Sequence, residues 1–300
     1  MDDLNTSYVS DESDLAPIRR ELQREERALI MRRFSHNRLA IYGLVIVATV
    51  ILMSLLASVI APEGPYVMVV SQRLMKPCAE HLFGTDTFGR DLLARVVYGA
   101  RISMQIGASV AILSLVAGML IGLYASYYSF LDSLLMRLCD GISSIPAILL
   151  AIAFMAVLGP SPKNVVFSLS MVYIPSVARI ARSKALEVKE LTFIESMRCL
   201  GASPTRIICR HIAPNVLSPV IVQASFVFAK AIVTEAALSF LGVGVPVPTP
   251  SWGNILMEGK TVIFKAWWMV VFPGGITALS VLGLNMLGDG LRDALDASVK

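Results

Sequence analysis

Cysteine is scarce and unpatterned in this 300-residue chain. Cys78, Cys139, Cys199 and Cys209 form no CxxC pair and no framework spacing, which argues against a disulfide scaffold or a cysteine metal site. Histidine is scarcer still: His36, His81 and His211 are scattered, and a solvated loop histidine accounts for His81 more simply than a metal ligand shared with Asp86. No GxxxxGK[ST], HExxH or GxSxG segment occurs, so there is no phosphate cradle, zinc pair or nucleophile elbow. The expectation is a chain that binds no cofactor, holds no metal and catalyses no reaction itself. Charged residues are few, 16% of the total, with a net charge of only +4, and nothing in them points to nucleic acid.

What is abundant is apolar sequence. Hydrophobic residues make up 55% of the chain and mean hydropathy is +0.68, more apolar surface than one soluble core can hide, so lipid must solvate part of it. A crossing needs about twenty apolar residues. The gaps between charges place six spans near Leu39–Ala61, Ile102–Tyr124, Gly141–Gly159, Asn164–Arg182, Val216–Gly242 and Ala266–Leu287. The chain thus divides into a cytoplasmic tail, residues 1–38, and an all-α membrane domain, residues 39–300. The first span lacks a plausible cleavage site and reads as a permanent anchor. The fourth is short, and Arg179 and Arg182 are expected to snorkel to an interface.

Orientation follows from the basic residues. Arg19, Arg20, Arg24, Arg27, Arg32, Arg33 and Arg38 precede the first span. Arg137 lies between the second and third, and Arg179, Arg182, Lys184, Lys189, Arg198, Arg206 and Arg210 cluster from the end of the fourth span into the hairpin. With six spans all fall on one side, giving a topology with both termini in the cytoplasm. Arg73, Lys76, Arg90, Arg95 and Arg101 dissent, but their loop is long and such loops weigh little. Tyr127-Tyr128 and Trp267-Trp268 then mark opposite interfaces.

The run LEVKELTFIESMRCLGASPTRIICRHIAPN, residues 186–215, puts charge between two spans. Helix formers run to Leu200, Gly201 suits a left-handed turn, and Ser203-Pro204 is an N-cap followed by proline at the first helical position. A second helix through Arg206 and Arg210 should end or kink at Pro214. A polar hairpin between spans has no reason to persist unless something in the aqueous phase grips it, so it reads as a docking element. Glu195, Gly201, Ala202, Ser203, Pro204, Thr205, Arg206 and Arg210 are its candidate contact residues. Arg206 and Arg210 can grip carboxylates as planar forks. The plainer account of Glu195 is a helix-surface pair with Arg198, worth about 0.2–0.5 kcal/mol.

This hairpin resembles the EAA loop of the transmembrane subunits of ABC importers. Glu195-Ser196-Met197 stands at the Glu-Ala-Ala triplet, Gly201 at the family spacing and Pro214 at its close, with Met197 and Ala213 as departures. GASPTRIICRHIAPN is similar to the peptide-importer branch. So are FGTDTFGRD (Phe83 to Asp91), EAALSFLGVG (Glu235 to Gly244), PTPSWGNIL (Pro248 to Leu256) and LGDGLRDALD (Leu287 to Asp296). The resemblance implies a type I ABC importer permease fold and half of a translocation path for dipeptides, oligopeptides or similar solutes. It further implies a homologous second permease, two cytosolic ATPases that hold ATP and Mg, and an extracytoplasmic solute-binding protein.

Lys230 and Glu235 interrupt the fifth span, where an ionisable group costs about 2.5–3.5 kcal/mol at a helix centre. They either line the translocation path or a subunit interface, or neutralise one another. Gly118 and Gly122, with Ser114 before them, form a small-residue ladder suited to packing within the subunit. In the outer loop, a helix through Gly89 to Val97 is expected to lie along the membrane with Asp91 pairing Arg95 at i,i+4. Pro246, Pro248 and Pro250 stiffen a second outer loop. An ion-driven secondary transporter is the rival; it calls for inverted repeats and paired mid-membrane acids, of which Glu235 alone is visible. An intramembrane enzyme lacks any nucleophile and base.

Overall fold

The side chain of Asn37 accepts the amide of Ala40 at 3.2 Å, so the first long helix, α1 (Arg38–Leu55), starts on a capped turn. The computed structural model describes residues 21 to 295, apart from Leu22, Gln23, Glu26, Arg27 and Ile30. Arg19, Arg20 and Arg27 of the basic tail, Asp296 and the C-terminal Lys300 lie outside the described residues.

Asp91 caps α2 (Leu92–Tyr127) by accepting the amide of Ala94 at 2.7 Å. At 36 residues α2 is about 54 Å long, well beyond a hydrocarbon core of about 30 Å. The outer-loop helix expected along the membrane surface is therefore the first turns of this span, which begins at Leu92 and not at Ile102. The Asp91–Arg95 pair does not form. Asp91 is committed to its cap and to His81, 2.8 Å away, while Arg95 turns inward to other partners.

The third expected span is broken. α3 (Ser129–Ser143) and α4 (Ala147–Leu158) meet at 92°, because Pro146 lacks an amide donor and holds the residue before it out of the helical region. α4 alone, 12 residues long, rises only about 18 Å. α5 (Pro162–Lys189) starts on its own proline, and Asn164 Nδ2 donates to the carbonyls of Leu158 and Gly159 that close α4.

The short α6 (Thr192–Cys199) is followed by α7 (Pro204–Phe240), a continuous rod of 37 residues. Pro214 does not end it. Just upstream, residues Ile208–Ile212 form one π turn, in which the amide of Ala213 reaches back to the carbonyl of Ile208. That wider turn absorbs the bond Pro214 cannot make. Only α6 is thus a separate short helix of the hairpin. α8 (Trp252–Lys260) and α9 (Trp268–Leu295) complete the chain. Among the described residues five helices are long and apolar enough to cross a membrane, or six if the bent pair is one span.

Close backbone packing fixes the bundle. A Cβ added at Gly118 would lie 2.6 Å from Val177 Cβ, and one at Gly122 2.6 Å from the carbonyl of Ala178, so the ladder on α2 serves contact with α5 inside the subunit. The largest core joins α2, α5 and α7, and a second joins α1, α2, α7 and α9. Trp268, expected in an interfacial belt, is buried, and its indole donates to the carbonyl of Thr85; Trp267 stays half exposed.

Candidate functional site

Gly201 sits at φ +76° at the hairpin turn. Its amide donates to Arg198 O at 3.0 Å and that of Ala202 to Met197 O at 3.0 Å, the paired bonds of a Schellman C-cap that satisfy the last carbonyls of α6. Nothing lies within 4 Å of where a Cβ would be, so backbone conformation, not crowding, selects glycine here. Ser203 is extended at φ −63°, ψ 146° before Pro204, although its hydroxyl makes no capping bond.

The hairpin is anchored on one side and bare on the other. Ile194, Ile207, Ile208 and Ile212 are buried in the main core, while Glu195, Gly201, Ser203, Pro204, Thr205, Arg206 and Arg210 are exposed and Ala202 is half-buried. Leu200, an apolar side chain, is 86% exposed beside them. The pair of Glu195 with Arg198 is absent, because Arg198 lies over the Tyr127 ring at 5.5 Å, sharing it with Lys189 at 5.6 Å. Lys189 also donates to Ser126 O at 2.8 Å, which ties the hairpin base to the end of α2. Glu195, Arg206 and Arg210 have no ion pair among the described residues. The surface is therefore a turn of fixed shape bearing unpaired charge of both signs.

Arg179 and Arg182 do not simply snorkel. Arg182 grips Asp132 of α3 with two bonds of 2.5 and 2.6 Å, and Arg179 reaches Asp140 at 3.3 Å, so they bind α3 to α5.

Lys230 and Glu235 part company on α7. Glu235 is fully buried. Its carboxyl accepts Ser103 Oγ of α2 at 2.9 Å and Ser239 Oγ at 2.8 Å. Those hydroxyls in turn accept backbone amides of the outer segment, Trp252 N at 3.4 Å and Val245 N at 3.0 Å. Lys230 is exposed and makes no ion pair with it, since five residues turn the helix by about 140°. Neutralisation of one by the other is excluded by that geometry.

A second buried cluster lies under the outer loops. Asp86 binds Arg90 and Arg95, and Glu258 of α8 binds both arginines, with Arg90–Glu258 at 2.7 Å and Arg95–Asp86 at 2.9 Å. Two cations face two carboxylates, so the charge closes on itself and clamps α8 to the start of α2. His81, held between Asp91 and Gln72, belongs to the same loop scaffold.

Among the described residues the chain is a helical bundle with one broken span, one over-long span and an exposed charged hairpin. Residues 114–300 match the family described as the binding-protein-dependent transport system inner membrane component, and residues 27–77 match the N-terminal TM domain of oligopeptide transport permease C. The chain belongs to this permease family. It is a multi-pass inner membrane subunit of an ABC importer. The permease is 47% identical over 272 residues to a putative peptide transport system permease protein of Brucella abortus, covering 91% of this chain and 92% of that one. It is 44% identical to the dipeptide transport system permease protein of Alkalihalophilus pseudofirmus, covering 90% and 89%. It is 40% identical to the glutathione transport system permease protein of Escherichia coli, with the same coverage. A chain of the inward-facing MetNI methionine ABC transporter shares the fold, with a TM-score of 0.56 at 19% identity over 67% of this permease and 97% of that chain.

Reading the permease from its sequence missed the outer clamp and the hydroxyl partners of Glu235. Arg95 inside an apolar helical stretch was the available signal for the clamp. Ser103, one serine among many, carried none.

Proposed function

We propose that this permease imports peptides or closely related small solutes, forming half of the path, with a homologous second permease as the other half. Two cytosolic ATPases, which hold ATP and Mg, supply the work, and an extracytoplasmic solute-binding protein delivers the cargo. Names borne by the relatives, for peptide, dipeptide and glutathione transport, support the solute class. The hairpin of residues 186–215 is the docking element for an ATPase, with Glu195, Gly201, Ala202, Ser203, Pro204, Thr205, Arg206 and Arg210 at the contact. One observation carries this reading: the bare, unpaired tip is the first turn of the 37-residue α7. A push on Pro204–Arg206 is delivered along a single rod into the membrane.

Both termini and the hairpin face the cytoplasm in this reading. Lys230 faces the solute path, whereas Glu235 serves the subunit's own scaffold. An ion-driven carrier gains nothing from Glu235, whose carboxyl is enclosed by serine hydroxyls. Thr205→Cys in the assembled complex should crosslink to an ATPase subunit and do so differently with and without ATP. Repeated absence of that product in an active complex would remove the docking assignment.

A further inference from the structure

α5 and α7 carry polar side chains along their shared groove at membrane depth. On α7, Gln223, Lys230 and Thr234 stand at i, i+7 and i+11, one face of a helix. Tyr173 Oη of α5 meets Thr234 Oγ1 at 2.7 Å and points to the carbonyl of Lys230 at 3.5 Å. One turn further along α5, and two turns back along α7 from Lys230, Gln223 Nε2 approaches Ser176 Oγ at 3.5 Å. The file then reaches Arg179, which joins Asp140 and Ser143 at the elbow between α3 and α4. All these side chains are at least partly accessible.

Lys230 is the one long cation in this file between its ends. It precedes the end of α7 at Phe240 by about 15 Å of helix rise, half of a core about 30 Å thick. Its ammonium has no partner among the described residues, and Glu235 is turned away from it. A bare ammonium at mid-membrane is tolerated where water or an anion reaches it. The polar neighbours on both helices provide the wet surface.

We propose that the Tyr173–Ser176–Gln223–Lys230–Thr234 file is the solute-facing wall of this subunit, and that Lys230 grips a carboxylate of the passing solute. This rests on the importer reading above and adds the contacting residues and the anionic group they take. The hydroxyls and the Gln223 amide offer neutral bonds that a moving solute exchanges for water. Lys230 supplies the single charge contact, and its accessibility keeps that contact weak enough to release.

The test uses the assembled importer in proteoliposomes, with dipeptide as solute and the exposed Cys78, Cys199 and Cys209 changed to serine; Cys139 is buried and stays. Lys230→Cys should lower dipeptide uptake about three- to fivefold, the scale of one accessible charge pair. Aminoethyl methanethiosulfonate, which rebuilds an ammonium there, should restore uptake, sulfonatoethyl methanethiosulfonate should not, and excess dipeptide should slow both labellings. Resistance to both water-borne reagents would place Lys230 in lipid or a sealed subunit seam and overturn the proposal. So would equal uptake after either reagent. If Lys230→Cys does not assemble, Lys230→Arg against Lys230→Gln makes the same comparison, with uptake kept by arginine alone. A wild-type complex that imports no dipeptide overturns the solute reading itself, which separates the two failures.

Discussion

Gly201 offers a graded test of whether the hairpin turn is what the ATPases grip. At φ +76° a side chain with a Cβ costs about 1–2 kcal/mol. No steric penalty from neighbours adds to it, because the space around that Cβ is empty for 4 Å. Alanine should therefore weaken the turn by about 1 kcal/mol, roughly a fivefold shift toward open conformers. Valine, stiff at χ1, belongs at or above the upper end. Asparagine enters the left-handed region more readily than other side chains and should stay close to glycine. Two capping bonds, each worth about 1 kcal/mol, are what an opened turn forfeits. The buried Ile194, Ile207, Ile208 and Ile212 keep the subunit folded and inserted throughout the series. Crosslinking from Thr205→Cys and solute uptake, each normalised to membrane abundance, should fall in the order glycine, asparagine, alanine, valine, with uptake lost in valine. Wild-type uptake by Gly201→Val, or equal damage from asparagine and valine, would refute the argument from backbone conformation.

Three further outcomes follow from the same geometry. A reporter active only in the cytoplasm should work after Glu190 and fail near Lys76; the reverse would turn the hairpin away from any cytosolic ATPase. Glu258→Gln leaves two buried arginines facing only Asp86, so the subunit should lose about 3 kcal/mol, read as an earlier thermal unfolding of the detergent-purified complex; an unchanged midpoint contradicts the clamp. Glu235→Gln should import almost normally, because an amide still bonds Ser103 and Ser239, whereas Glu235→Met should not. Adding Lys230→Met to the latter should give additive losses, within about 0.5 kcal/mol in a double-mutant cycle, and rescue by the double change would show a pairing that the geometry denies.

Composition and charge spacing by themselves determined the membrane class, the helical architecture and the position of the hairpin. Those properties depend on local quantities: the length of an apolar run, a proline after a serine, a glycine where the chain must turn. The reach of each helix was not local. α2 runs back to Leu92 because a capping carboxylate and an inward-facing arginine let a charged segment continue an apolar one. α7 runs through Pro214 because one π turn accommodates the missing donor. The third span breaks where Pro146 meets a helix held against α5 by Arg182 and Asp132.

Partner choice among charges was the other thing only the tertiary structure decided. Spacing at i,i+4 or i+5 nominated Asp91 for Arg95 and Glu235 for Lys230, and each nominee had a better partner elsewhere in the chain. Arg95 joins Glu258 across the outer clamp, and Glu235 joins Ser103 on α2. Burial strengthens whichever bond is completed and penalises every group left over. Which groups are buried together is set by how the helices pack, a property of the folded bundle that sequence neighbours do not carry.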